Sequence, residues 1–141
     1  MEQPNSTSLP ANESPICWLV DDSLEDALLL RRAWQKLALD GLLIHFENGT
    51  EAVNALRKRT ASLPTLIFLD IKMPGMDGFE VLKWIHSNPG LVQIPVLIMS
   101  SSCLDTDMAR AQSLGANDYL VKPASTADLI LLLKATAEKW L

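Results

Sequence analysis

The chain has 141 residues, of which 48% are hydrophobic and 21% are charged, and its formal net charge is −5. This length suits one domain with a buried core, and this composition excludes an intrinsically disordered chain. The acidic balance argues against sequence-independent binding to nucleic acid, which needs a clustered excess of lysine and arginine.

The first fifteen residues contain three prolines, several polar residues and neither lysine nor arginine. They lack the charged and apolar parts of a secretory signal, and no apolar run in the chain approaches the ~18 residues of a membrane helix. Two cysteines, Cys17 and Cys103, cannot form the disulfide framework of a small secreted domain. We therefore expect a flexible polar leader over residues 1–15, two free thiols, a cytoplasmic location and no membrane association.

From residue 16 onward, five short apolar segments alternate with five segments of helical periodicity. The predicted strands are residues 16–20, 42–46, 66–69, 95–99 and 119–121. The first predicted helix starts after Ser23 and the fifth after Ser125. The second covers about residues 50–59, the third includes 79–85 and the fourth covers about 105–114. Strands that are apolar almost throughout are buried on both faces, so the pattern predicts a doubly wound α/β domain with a five-stranded parallel sheet.

Three helix ends have recognisable capping residues. Ser23 followed by Asp26 resembles a capping box, in which the serine and the acid bond to each other's backbone amides. Gly115 is a natural C-terminal cap for the fourth helix, and Ser125 with Asp128 opens the fifth.

Polar side chains follow four of the five predicted strands. They are Asp21, Asp22, Asp70, Ser100 and Lys122. In a doubly wound sheet ligands bind beyond the carboxyl ends of the strands, so these side chains are expected to share one site. Neighbouring carboxylates repel unless a cation holds them, and dense oxygen ligands suit Mg²⁺ better than zinc. The pattern predicts a magnesium site that a phosphoryl group completes.

Asp70 lies at the centre of this edge and is the candidate nucleophile. An ionised carboxylate can accept a phosphoryl group as an acyl phosphate without a separate general base. Mg²⁺ and Lys122 would offset charge on the transferring oxygens, and Ser100 would donate its hydroxyl to the phosphoryl group.

Four motifs occur in order, each in the expected strand context. They are Val20-Asp21-Asp22, residues 69–78, residues 95–100 and residues 115–123. Together they resemble the receiver domain of two-component response regulators over roughly residues 16–141, with its flavodoxin-like fold.

This resemblance implies a phosphoacceptor role for Asp70, with a sensor histidine kinase as the phosphodonor. Asp22, Asp70 and the backbone carbonyl of Lys72 would ligate Mg²⁺, and Asp21 would act through a bound water. Such a domain is a signalling domain and not an enzyme, although it assists its own phosphorylation and dephosphorylation.

The resemblance also implies a conformational switch. Ser100 would move toward the phosphoryl group and Tyr119 would swing inward behind it, which shifts the face formed by the fourth helix, fifth strand and fifth helix. In the family the Lys122-Pro123 peptide bond is usually cis, an isomer that proline permits.

Three features refine this assignment. Lys72, two residues after the acceptor, would either attract the phosphodonor or impede the hydrolytic water. Residues 24–27 and Trp140-Leu141 resemble the single-domain receivers that partner bacterial phytochromes. The fifth helix reaches the last residue, so we expect no output domain in the same chain.

The leucine-rich run 129–133 is wider than a one-sided amphipathic helix requires. We expect some of these side chains to be exposed, at a homodimer or kinase-docking surface on the fourth and fifth helices. Coverage by the leader or by neighbouring side chains is the alternative.

Two other functions conflict with particular residues of the chain, and a third stays open. An aspartyl phosphatase or mutase usually has a second aspartate where this chain has Lys72. A flavodoxin-like nucleotide binder would need a phosphate-binding loop where Asp21 and Asp22 would repel phosphate. A receiver that has lost phosphorylation and serves only as a binding module stays open.

Overall fold

The computed structural model describes residues 14–59 and 62–141. Five strands form one sheet: β1 Ile16–Val20, β2 Leu42–Phe46, β3 Leu66–Leu69, β4 Val96–Ser100 and β5 Asp118–Val121. Five helices alternate with them: α1 Leu24–Lys36, α2 Gly49–Lys58, α3 Gly78–His86, α4 Asp105–Ser113 and α5 Thr126–Trp140. All strand pairs are parallel, as predicted.

The strand order is β2-β1-β3-β4-β5, which is the flavodoxin-like order. The chain leaves β1 toward β2 and then crosses to β3 on the other side, so the order reverses between β1 and β3. Val20 pairs with Leu69 in register. The residues that follow them, Asp21 and Asp70, therefore leave neighbouring strands at the same level.

The core has two layers, one on each face of the sheet. Residues that alternate along β1 point to opposite layers: Cys17 and Leu19 pack with α1 and α5, whereas Trp18 and Val20 pack with α2, α3 and α4. Cys17 is fully buried and is a core residue, and this burial raises the pKa of its thiol to about 12. Both cysteines are free, as predicted.

The sheet is not equally covered everywhere. The central strands β3 and β4 are buried throughout, but Leu42 and Ile44 of β2 are exposed. The expectation that every strand is buried on both faces is therefore wrong for β2. An apolar run does not by itself distinguish an edge strand from a central one.

The helix ends show which capping predictions hold. Gly115 has a φ of +102° after α4, and Ser125 accepts a hydrogen bond from the Asp128 amide, both as predicted. A capping box at the start of α3, formed by Asp77 and Glu80, was not predicted.

Residues 1–13 of the predicted leader lie outside the described residues. Its last residue, Pro15, belongs to the fold because its carbonyl accepts the Leu42 amide at 3.0 Å. On α5, Leu129 and Leu133 are buried and Leu131 is 64% exposed, so part of the leucine run is exposed, as expected. Within the described parts of the chain, every helix is too short or too polar to cross a bilayer.

Candidate functional site

Three carboxylates meet at the carboxyl edge of the sheet. Asp21 and Asp22 follow β1 and Asp70 follows β3, and one oxygen from each lies within 4.8 Å of the others. Asp21 and Asp70 are buried, whereas Asp22 is exposed. This separation and these ligand types fit a divalent cation that prefers oxygen donors.

The backbone fixes the orientation of the two buried carboxylates. Asp21 Oδ1 accepts the Ser23 amide at 2.9 Å, and Asp70 Oδ1 accepts the Ile71 amide at 2.8 Å. The second oxygen of each carboxylate faces the ammonium of Lys122, at 2.8 Å from Asp21 and 3.4 Å from Asp70. A single ammonium therefore bridges the ends of β1 and β3.

Lys122 reaches this position from the residue after β5. Its backbone amide donates to the Ser100 carbonyl at 2.8 Å, which aligns it with the end of β4. No peptide bond in residues 14–59 and 62–141 is cis, so the Lys122-Pro123 bond, whose isomer the sequence alone does not fix, is trans. Proline allows both isomers, and the flexible lysine stem supplies the reach from a trans bond.

Burial and the neighbouring charges shift two pKa values at the site. Burial raises the pKa of Asp70 to about 6; the Asp21 charge adds to this, while Lys122 and the Ile71 amide oppose it. For Lys122, burial favours the neutral form, but hydrogen bonds to Asp21 and Asp26 and the charges of Asp21 and Asp70 raise its pKa overall. Lys122 is thus a cation at neutral pH. Burial makes the ionised form of Asp70 less favourable than it would be in water.

The two predicted switch residues, Ser100 and Tyr119, both form hydrogen bonds to the backbone of Ser102. Ser100 is buried at the end of β4, and its Oγ accepts the Ser102 amide at 3.2 Å. The hydroxyl of Tyr119 donates to the Ser102 carbonyl at 2.9 Å. The Ser102 backbone therefore connects Ser100 at the site with Tyr119 on β5.

Lys72 stands apart from this cluster. Its side chain is exposed and lines an open groove with Asp107 and Arg110. Ligation of a metal by its backbone carbonyl stays a prediction.

Sequence reasoning missed one residue of the site. Asp26, in the first turn of α1, was interpreted only as a helix cap, yet its carboxylate lies 2.7 Å from Lys122 Nζ. The available signal was its position in the first turn of α1, because the helix that follows β1 begins at the same edge of the sheet.

A sheet of this order with three aspartates and a lysine at its carboxyl edge defines the class of receiver-like α/β domains. The sequence pattern of the response regulator receiver domain matches residues 17–134. The chain therefore belongs to the response regulator receiver domain family.

Several individual proteins are similar to this chain over most of its length. The probable methanogenesis regulatory protein FilR2 of Methanothrix harundinacea is 36% identical over 94% of this chain and 88% of its own. Response regulator Rcp1 of Synechocystis is 31% identical over 93% of this chain and 92% of its own. Its Mn²⁺-bound crystal structure superimposes with a TM-score of 0.83 at 31% identity, covering 90% of this chain and 94% of that one.

A third relative has a solved phosphorylated form. The crystal structure of the phosphorylated cyanobacterial phytochrome response regulator RcpA superimposes with a TM-score of 0.85 at 32% identity. It covers 91% of this chain and 94% of that one.

Proposed function

We propose that this receiver domain accepts a phosphoryl group on Asp70 from a sensor histidine kinase, in a reaction that requires Mg²⁺. The observation that carries the proposal is the shared ammonium: Lys122 contacts Asp21 at 2.8 Å and Asp70 at 3.4 Å, beside a third carboxylate, Asp22. This arrangement combines a buried nucleophile with a cation and a set of oxygen ligands.

The metal would be held by Asp22 and Asp70, with Asp21 acting through water and the Lys72 carbonyl completing the protein ligands. Mg²⁺ binds through one or two carboxylates and takes further oxygens from a phosphate. When bound, it would neutralise negative charge on the phosphoryl oxygens. The Mn²⁺-bound structure of the relative Rcp1 supports the binding of a divalent cation.

In the transfer step, a carboxylate oxygen of Asp70 forms a bond to phosphorus. The phosphorus–nitrogen bond to the histidine of the kinase breaks, and its electron pair leaves with that nitrogen. Lys122 stabilises the phosphoryl oxygens as negative charge is redistributed, and Ser100 donates its hydroxyl to one of them. The product is an acyl phosphate, so the domain is a phosphoacceptor that assists its own modification and its later hydrolysis.

The signal would leave through the face formed by α4, β5 and α5. Movement of Ser100 toward the phosphoryl group would pull on the Ser102 backbone, which Tyr119 also contacts. Apolar side chains are exposed on this face, among them Val121 and Leu131. They suit a homodimer or kinase contact, and a sedimentation experiment that finds only monomer with and without phosphorylation would exclude the homodimer.

A bacterial phytochrome is the proposed class of sensor kinase. The similarity to Rcp1 and to the phytochrome response regulator RcpA supports this partner. Phosphotransfer profiling against purified kinases would test it, with faster transfer from a phytochrome kinase than from unrelated kinases as the expected result.

The direct test is incubation with Mg²⁺ and a small acyl phosphate, followed by intact-protein mass measurement. We expect the wild type to gain one phosphoryl group and Asp70→Asn to gain none while keeping its fold. Chelation of the metal should prevent the gain, and Asp22→Ala should raise the Mg²⁺ concentration required. Continued labelling of Asp70→Asn would show that the acceptor is another residue, and an unmodified wild type would favour a binding module.

A further inference from the structure

The ammonium of Lys122 has more carboxylate partners than the proposed chemistry uses. Its Nζ lies 2.7 Å from Asp26, 2.8 Å from Asp21 and 3.4 Å from Asp70. A lysine ammonium has three N–H donors, so these three contacts occupy all of them. The shortest contact is with Asp26, the only one of the three outside the predicted metal and phosphoryl site.

The hydrogen bonds at the start of α1 explain why the Asp26 carboxylate contacts Lys122 and not the N-cap amide of its own helix. Asp26 occupies the third helical position after the N-cap Ser23, where an acid usually accepts the N-cap amide. In this protein that amide donates to Asp21 Oδ1 at 2.9 Å instead. The Asp26 side chain is therefore not needed for capping and bonds to Lys122.

Phosphorylation would create a competitor for the same ammonium. A phosphoryl group on Asp70 brings anionic oxygens toward Lys122, whose three donors are already used. One existing contact must then be exchanged. The Asp26 side chain is 38% exposed, against 2% for Asp21 and 9% for Asp70, so water can replace Lys122 most easily at Asp26.

The side chains that line the cavity next to Lys122 include no acceptor for the ammonium besides Asp21 and Asp26. This small cavity of about 40 Å³ is lined by Lys122 together with residues of α1 and α5. Apart from Asp21, Asp26 and Lys122, the side chains that line it are apolar: Leu19, Leu29, Leu30, Met99, Pro123 and Leu129. Transfer of a charged group into an apolar cavity is costly, so exchange of the ammonium between carboxylates, water and phosphoryl oxygens is favoured.

We propose that Asp26 is a positioning residue that holds the Lys122 ammonium toward α1 before phosphorylation and releases it to the phosphoryl group. The inference rests on the proposed acceptor role of Asp70. Because the contact with Asp26 is lost as the phosphoryl group arrives, Asp26 slows phosphoryl uptake. Asp26→Asn removes the charge that holds Lys122 and should accelerate uptake from a small acyl phosphate about fivefold, the effect of one exposed ion pair.

The rate measurement needs a control for the general loss of negative charge. Glu25→Gln removes one charge from the same turn of α1, at an exposed position beside Asp26. Both variants are compared with the wild type at saturating Mg²⁺, and Asp26→Glu tests whether a carboxylate restores slow uptake. The expected result is faster uptake for Asp26→Asn alone. Equal acceleration by Glu25→Gln, or uptake by Asp26→Asn no faster than by the wild type, would overturn the proposal.

A second measurement separates this inference from the proposed function. The Lys122 ammonium is observed by nitrogen-15 NMR of lysine-labelled protein without any phosphodonor. Asp26→Asn should accelerate hydrogen exchange at Lys122 Nζ, and Glu25→Gln should not. Unchanged exchange in Asp26→Asn would show that Asp26 does not hold the ammonium. A different outcome is accelerated exchange in Asp26→Asn together with a wild type that accepts no phosphoryl group. That outcome would refute the acceptor role of Asp70 and the release step, but it would still support the contact in which Asp26 holds Lys122.

Discussion

The first turns of α1 and α3 have the same local pattern and different uses. In both, an N-cap oxygen accepts the amide of an acidic residue three positions later: Ser23 accepts from Asp26 at 3.1 Å, and Asp77 accepts from Glu80 at 2.9 Å. At α3 the Glu80 carboxylate bonds back to the Asp77 amide at 3.0 Å and closes the box. At α1 the corresponding carboxylate leaves the helix for Lys122.

The difference arises two residues before the N-cap of α1. Asp21 follows a central strand and lies next to the N-cap, so it takes the Ser23 amide that Asp26 would otherwise accept. No such carboxylate intervenes at α3. A capping acid is therefore structural or functional depending on what else can accept the N-cap amide.

The largest expected effect is on the rate of phosphoryl uptake, and it comes from Lys122, the partner of the Asp26 carboxylate at the start of α1. Lys122→Ala removes the cation that faces Asp21, Asp26 and Asp70, and should slow phosphoryl uptake from a small acyl phosphate by about 10²–10³-fold, the usual effect of losing one charge-stabilising donor. Glu80→Gln, at the matching position of α3, should leave the rate unchanged. Rates of mass gain at fixed Mg²⁺ measure both, and a slow Glu80→Gln variant would mean that the α3 cap also serves the site.

The next effect is a dependence of stability on pH that comes from Asp70. The pKa of Asp70 is about 6 in the folded protein, against 3.8 ordinarily, so the folded state binds the extra proton between these values. The free energy of unfolding of the metal-free protein should therefore fall as pH rises from about 4 to about 6, by on the order of 2–3 kcal/mol.

Urea unfolding across this range measures the slope. Asp70→Asn should remove it, whereas Glu80→Gln should keep it, and added Mg²⁺ should restore stability at neutral pH by binding the folded state. An Asp70→Asn variant with the same slope as the wild type would assign the titration to other groups.

The smallest effect concerns the caps themselves. Ser23→Ala and Asp77→Ala each remove an N-cap acceptor, and each should lower the free energy of unfolding by about 1 kcal/mol. Asp77→Ala should leave phosphoryl uptake unchanged. Chemical denaturation provides the first measurement and the acyl phosphate assay the second. A loss of uptake in a folded Asp77→Ala variant would remove the distinction between the two helix starts.

Much of the site was predictable because it depends on strand ends. Asp21 and Asp70 follow unmistakable apolar strands, and a doubly wound sheet brings such positions together whatever the loops do. The elements themselves were predictable from alternating periodicity, and Gly115 and Ser125 from standard capping chemistry.

The rest depends on competition between neighbours, which a local pattern does not encode. Ser23 and Asp26 match a capping box, but the Ser23 amide bonds to Asp21 and the Asp26 carboxylate bonds to Lys122, which comes from the far end of the chain. The exposure of Leu42 follows from the place of β2 at the sheet edge, which the strand's own residues do not reveal. The trans bond at Pro123 is one of two isomers that a bond before proline can adopt, and the sequence alone does not fix which one is present.

The central claim is that Asp70 alone receives the phosphoryl group. Hydride reduction of the phosphorylated protein converts an acyl phosphate into an alcohol, and peptide mass mapping then locates the altered side chain. The account predicts one reduced position, residue 70, formed only when Mg²⁺ was present during phosphorylation. Reduction at Asp21, Asp22 or Asp26, or at residue 70 without a divalent cation, would contradict it.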